Sequence, residues 1–364
     1  MRVRLEDVCE KESSKLKQSD VIDQNGMYPV YGASGYLGNI NTYQQSNYYI
    51  AVVKDGAGIG RTMLLPPESS IIGTMQYLIP KDNVLPEYLY YVVKAKHLEK
   101  YFSGATIPHI YFKDYKNEQF DLVSFEEQRE IINRLKKIEI IIDNLSKNLL
   151  LLDELVKARF VEMFGDPFLN EKGWITKPLI DMGNCKNGMN FHYNENGCEV
   201  KCLGVGDFKD LSIINNIESL QTVSLNEMPS EEYMLRDNDI VFVRSNGNKA
   251  LVGRSIVIYP GDVPTTFSGF CIRYRKYDDS IIVPYLLHVL KTDSFRNKMV
   301  GRGANIQNLN QQILASLIIP VPPLQLQNQF ALFVQEIDKS RSRIQKSLEA
   351  SQELFDSLMQ EYFG

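Results

Sequence analysis

Guanidinium, ammonium and amide groups gather in two short stretches of this sequence. Arg244-Ser245-Asn246-Gly247-Asn248-Lys249 sets an arginine, two asparagines and a lysine among small residues. Arg302-Gly303-Ala304-Asn305-Ile306-Gln307-Asn308 does the same with an arginine, two asparagines and a glutamine. Such groups bond phosphate oxygens, and arginine and asparagine also pair bidentately with guanine and adenine edges. Between Arg236 and Arg302 eleven basic residues stand against six acidic ones, although the whole chain carries a net charge of -5. A second set of cations lies earlier, at Lys54, Arg61, Lys94, Lys96, Lys100, Lys113 and Lys116. The overall charge excludes a histone-like protein, and the local excess is what a DNA-binding face needs. The expected DNA-contacting residues are Lys54, Arg61, Lys113, Arg244, Asn246, Lys249, Arg254, Arg302 and Asn305.

Bond-making chemistry is missing from the same reading. There is no phosphate-binding GxxxxGK[ST] loop, no HExxH, no HxE…PCxxC deaminase pattern and no GxSxG. Gly56-Ala57-Gly58-Ile59-Gly60 departs from GxGxxG and reads as a tight hairpin. Val321-Pro322-Pro323-Leu324 lacks the amide and the aromatic ring of the Asn/Asp-Pro-Pro-aromatic motif of amino-methylating enzymes. Cys185, His192, Cys198 and Cys202 fit no zinc-module spacing, so no metal is expected. Asp237/Asp239 and Asp278/Asp279 read as solvated turn residues. No catalytic residue is assigned. A nuclease remains a weak alternative because no acidic metal constellation supports it.

The elements that must position these loops repeat. Residues 125–165 and 324–364 align without a gap: Ile131 with Phe330, Ile138 with Ile337, Leu149 with Leu348 and Phe164-Gly165 with Phe363-Gly364, each 199 residues apart. Gly104-Ala105-x-Ile107 and Gly303-Ala304-x-Ile306 keep that offset, while Gly60-Arg61 and Gly253-Arg254 are 193 apart. Fixed-offset similarity marks a duplication. The plan is a globular part at 1–124, a helix at 125–165, a second globular part at 166–324 and a second helix at 325–364.

Both helices carry an apolar stripe at alternating four- and three-residue steps. The first runs Ile131, Leu135, Ile138, Ile142, Leu145, Leu149, Leu152 and Val156; the second runs Phe330, Val334, Ile337, Arg341, Ile344, Leu348, Ser351 and Phe355. That is a coiled-coil seam. A helix from Glu126 to Met163 would be roughly 57 Å long, at 1.5 Å per residue. The expected fold is α+β: two mixed α/β domains separated by two long helices that form an intrachain antiparallel coiled coil, a pseudo-twofold repeat. Arg341 is expected to lay its stem on the seam and keep its head in water. Ser124 with Glu127 forms a capping box, Pro323 suits a helix start, and Gly165-Asp166-Pro167 closes the first helix.

Within the globular parts the pattern predicts strands at 46–53, 58–65, 75–79, 239–244, 253–259 and 270–274, and helices over 86–100 and from Val283. Apolar residues make 44% of the chain and charged residues 23%, which places it among globular proteins. It has no uncharged apolar run of membrane-spanning length and no apolar leader at its start. Five cysteines in a long chain fit a reducing compartment, so a cytoplasmic location is expected.

The ordered set of these features resembles the specificity (S) subunit of type I restriction-modification systems. The resemblance rests on Tyr28-Pro29-Val30-Tyr31-Gly32-Ala33-Ser34-Gly35 and Asp55-Gly56-Ala57-Gly58-Ile59-Gly60. It rests also on Gly188-Met189-Asn190 with 200–208, on Gly301-Arg302-Gly303-Ala304-x-Ile306, on Pro320-x-Pro322-Pro323-Leu324-x-x-Gln327 and on 155–165. It implies two target recognition domains, each reading half of a split double-stranded DNA site. It also implies two methyltransferase (M) subunits using S-adenosylmethionine as partners. Two restriction (R) subunits with ATP and Mg are an optional addition, and this chain itself binds no cofactor. The alternative is a structural or adaptor subunit of the same assembly that does not read DNA. One departure stands out: Ile107-Pro108-His109 replaces Ile306-Gln307-Asn308, and the proline removes a donor.

Overall fold

The computed structural model describes residues 1–22, 24–104, 108–190, 197–208, 212–300 and 308–364. The chain divides into two compact units, Met1–Leu149 with Arg343–Gly364 and Leu150–Ser342. Two 40-residue helices, Phe125–Phe164 and Leu324–Phe363, contribute to both.

The first unit is built on a four-stranded antiparallel sheet in the order Cys9–Ser13, Met75–Pro80, Tyr49–Val53, Thr62–Leu65. Every residue of Tyr49–Val53 is buried, as suits a β-branched central strand. A three-stranded sheet, Gly35–Ile40, Tyr28–Gly32, Ser70–Ile71, ends in a parallel pair. A short ribbon joins Arg2–Arg4 to Gln119–Asp121.

The second unit repeats this plan. Its larger sheet runs Gly183–Asn187, Cys271–Lys276, Asp239–Val243, Ser255–Ile258 and adds Ile213–Ile214 at the edge. Its three-stranded sheet, Gln221–Leu225, Cys198–Leu203, Thr265–Phe267, also ends in a parallel pair. The ribbon is Ile175–Pro178 with Ile318–Val321.

A proline-started helix covers the larger sheet's apolar side in each unit, Pro86–Ala95 in the first and Val283–Lys291 in the second. A buried glutamine fastens each to a long helix. Gln128 accepts the Leu85 N–H at 2.9 Å and donates to the Val123 carbonyl at 3.0 Å. Gln327 accepts the Ile282 N–H at 2.9 Å and donates to the Pro322 carbonyl at 2.7 Å. Each amide satisfies backbone groups that would otherwise be buried unpaired at the helix entry.

The long helices contribute side chains to the core of each unit. In the first unit Ile131, Leu135, Phe355, Met359 and Phe363 share a core with Tyr88, Leu89 and Val92. In the second, Val156, Phe160, Phe164 and Phe330 share one with Tyr285, Leu286 and Val289. Ile138, Ile142, Leu145, Leu149, Leu152, Val334, Ile337, Ile344 and Leu348 are half-buried. Direction is set by pairs: Asp153 meets Arg341 at 2.6 Å, while Phe160 and Phe164 meet Phe330 in the same unit. The helices therefore run antiparallel there. In the first unit Arg134 donates to Tyr362 at 3.2 Å.

Some local expectations are corrected. The helix expected over 86–100 stops at Ala95, because His97 takes the left-handed conformation (φ 49°) and a separate turn, Leu98–Tyr101, follows. The segment 58–65 is a strand only from Thr62, since Gly56, Gly58 and Gly60 all have φ near +80° and form the turn. Asp239 is not a solvated turn residue. It is 1% exposed, and Arg275 donates to both its oxygens at 2.8 and 2.7 Å. Arg341 keeps its head at the surface, where it meets the exposed Asp153. Ser124 Oγ accepts the Glu127 N–H at 3.3 Å, and Gly165 (φ +74°) ends the first long helix.

Candidate nucleic-acid interface

The same backbone frame supports the candidate loops in both units. In the first, the Lys54 and Asp55 N–H groups donate to the Thr74 carbonyl at 3.0 and 3.2 Å, and the Lys54 carbonyl accepts from Ile110 at 2.9 Å. In the second, the Arg244 and Ser245 N–H groups donate to the Phe270 carbonyl at 2.8 and 3.4 Å, and the Arg244 carbonyl accepts from Leu309 at 2.9 Å. The turn beside it also repeats: Val53 N–H donates to Arg61, and Val243 N–H to Arg254, both at 2.9 Å. Thus Lys54 and Arg244 are equivalent, as are Arg61 and Arg254, Asp55 and Ser245, Thr74 and Phe270.

Backbone bonds common to both units hold these loops, and the side chains they carry differ. Lys54 pairs with Asp55 at 2.6 Å, and Asp55 also meets His109 Nδ1 at 2.6 Å. Burial pushes the Asp55 carboxyl up, but its bonds to Lys54 and His109 outweigh that and hold it below the usual range. Arg61 is exposed and donates to the Ala33 carbonyl at 2.8 Å, tying down the hairpin tip. Lys113 is exposed beside the Tyr111 ring.

In the second unit Arg244 is half-buried and donates to the Gly269 carbonyl at 3.3 Å. Asn246 braces the loop by accepting the Asn248 N–H at 2.8 Å. Lys249 is exposed in a single turn, Lys249–Leu251. Asn246 also lines a cleft of about 620 Å³ with Asp207, Gln221, Ser245, Ser268 and Phe270. Arg254 stands apart from that cleft. It lies near Lys291, which burial and the neighbouring Arg254 charge lower to about 8, and near Arg296. Arg302, Asn305 and His192 lie outside the described residues.

Two arginines in the basic stretch are committed elsewhere. Arg275 is locked on Asp239, and Arg273 is 4% exposed with its guanidinium on Asn184 and the Glu232 carbonyl. Neither can meet a phosphate. Phe270, Thr74, Asp55 and His109 were not anticipated as site residues. The repeat could not have found the equivalent pairs, because Arg244 follows Lys54 by 190 residues and Phe270 follows Thr74 by 196, and the offsets visible in the sequence are 199 and 193.

Comparison with known proteins agrees with this duplicated plan. The family model described as type I restriction modification DNA specificity domain matches residues 1–151 and 171–352. The chain belongs to that family. As a DNA specificity subunit of a type I restriction-modification system it is a non-catalytic member. It is 24% identical over 328 residues to the type I restriction enzyme MjaVIII specificity subunit of Methanocaldococcus jannaschii, covering 82% of this chain and 76% of the relative. It is 25% identical over 325 residues to the StySPI specificity subunit of Salmonella potsdam, covering 81% and 68%. Among solved structures, the fold of this specificity subunit is similar to that of the S subunit from M. genitalium. There the TM-score is 0.63 and the identity 18%, covering 100% of this chain and 96% of that one. A chain solved in work on complex assembly and conformational transition of the type I R-M system gives a TM-score of 0.56 at 16% identity, covering 100% and 97%. Among the described residues no helix is long and apolar enough to cross a membrane.

Proposed function

We propose that this specificity subunit reads a bipartite, asymmetric double-stranded DNA target, one half per recognition domain, 1–124 and 166–324. The observation that carries the reading is the repeated backbone frame with unlike side chains. One scaffold presenting Lys54, Asp55 and Thr74 and another presenting Arg244, Ser245 and Phe270 suit two different short sequences. Lys54, Arg61 and Lys113 serve the first half, and Arg244, Asn246, Lys249 and Arg254 the second, with Arg302 and Asn305 added from the sequence. The helices 125–165 and 325–364 are spacers.

The helices also bear apolar side chains that the seam does not use. Ile140 in the first unit and Leu151 in the second are 59% and 57% exposed, each two residues beyond a seam position and so turned away from it, while Leu155, 47% exposed, flanks the seam. Covering what is still exposed of each would contribute about 1 kcal/mol, roughly half of a full burial. This supports docking of two methyltransferase subunits, which supply S-adenosylmethionine and methylate adenine. Restriction subunits with ATP and Mg complete those systems that also cleave.

Selection from a random duplex pool tests the reading, using the subunit assembled with its methyltransferase. The expected consensus has two short blocks with an unread gap. A single block, or none, overturns it.

A further inference from the structure

Phe270 is 60% exposed and lines a cleft of mixed character, where Asp207, Gln221, Ser245, Asn246 and Ser268 stand beside the apolar Cys202, Val205 and Val223. Its backbone is fully engaged: the carbonyl accepts from Arg244 and Ser245, and the N–H donates to Ser268 Oγ at 3.3 Å. The fold therefore needs the Phe270 main chain and not its ring. A single exposed ring is ordinary on a protein surface, and Tyr36, Phe102 and Tyr277 are as exposed; what sets Phe270 apart is its place between the Arg244 loop and the cleft. The Arg244 guanidinium bonds the adjoining Gly269 carbonyl, and the cleft offers amide, hydroxyl and carboxylate groups. A cation beside the cleft, donors and acceptors within it, and one ring able to touch a thymine methyl together match the edge of a base pair better than a wholly apolar protein surface.

We propose that Phe270 is a specificity-determining residue that packs its ring on a base of the second half-site. The equivalent Thr74 of the first unit is exposed on the same frame and offers a hydroxyl instead. One position thus reads by apolar contact in one unit and by hydrogen bonding in the other. This rests on the reading of the subunit as a two-part DNA reader and assigns the residue that does part of it.

The test uses the subunit assembled with its methyltransferase, in wild-type, F270A and T74A forms, each selecting from a random duplex pool. Thermal melting of F270A should match wild type, because the ring is exposed. F270A is expected to lose base preference at one or two adjacent positions of one block, with roughly ten-fold weaker binding to the wild-type consensus. The other block stays intact. T74A is expected to change the other block alone. An F270A consensus and affinity equal to wild type overturns the proposal. So does a uniform loss across all sequences, or failure of F270A to assemble, which would mark the ring as a protein contact. A wild-type assembly that selects no consensus overturns the DNA reading itself, before any variant is compared.

Discussion

Replacing Arg275 with alanine leaves the buried Asp239 carboxylate with one remaining donor among the described residues, the Arg236 backbone N–H at 2.7 Å. Removing one partner of a buried pair strands the other charge, so Arg275→Ala is expected to cost about 3–5 kcal/mol in urea denaturation. Arg244→Ala should behave in the opposite way. Its melting should stay at the wild-type value while discrimination at the second half-site falls by about 1–3 kcal/mol, read by competition binding. Arg302→Ala is expected to follow Arg244→Ala. Wild-type discrimination in both would remove these loops from the reader. At this scale the sequence showed which groups were present but not which were already bonded. Arg244 and Arg275 are both arginines in one basic stretch. Only the pairing of Asp239–Val243 with Cys271–Lys276 shows that one of them is committed to the core. Contacts of that range have no local signature.

Among the elements, the helix Val283–Lys291 carries a titrating group into the core. His288 lies against Phe160 and Phe330, and its Nδ1 donates to the Pro284 carbonyl at 2.8 Å. Burial lowers it to about 4 from an ordinary value near 6.5. The folded state therefore holds neutral imidazole. Its contribution is complete above pH 6.5 and is lost as pH falls toward 4, because the unfolded chain binds the proton first. The expected loss is up to about 2 kcal/mol between pH 7 and 5, and His288→Leu should flatten this slope in denaturant titrations. A slope unchanged by the substitution would show that the acid sensitivity arises elsewhere. Element type was legible where periodicity is local: the heptads predicted both long helices within a residue or two of their ends. The stop at Ala95 was not, because it depends on one left-handed residue, His97, that no apolar period announces. The buried glutamines were equally silent. Gln128 and Gln327 stand three residues before Ile131 and Phe330, in register with the stripe, but their polar side chains hid that until the neighbouring backbone was seen.

For the molecule as a whole, the duplication was visible as an offset, and its depth was not. Strand pairing shows that both units share four antiparallel strands in a larger sheet, to which the second adds a parallel edge strand, a smaller sheet with a parallel pair, and the same ribbon. Short strands with unlike side chains carry no sequence similarity that a single chain can reveal, while the helices keep theirs because a seam tolerates few residue types. The spacer reading predicts that removing one heptad from each long helix changes the unread gap, measured by mapping methylated adenines. An unchanged gap would refute it. Leu151→Glu combined with Ile140→Glu should abolish co-purification with the methyltransferase while leaving melting within about 0.5 kcal/mol of wild type.

Those exposed side chains also bear on how the protein must be made. A polypeptide released with Ile140, Leu151 and Leu155 facing water is sticky until covered. Synthesis in excess of its companions should send it to the insoluble fraction, and matched co-synthesis should keep it in the supernatant. The stoichiometry of production, as much as the fold, would then decide how much usable reader a cell holds.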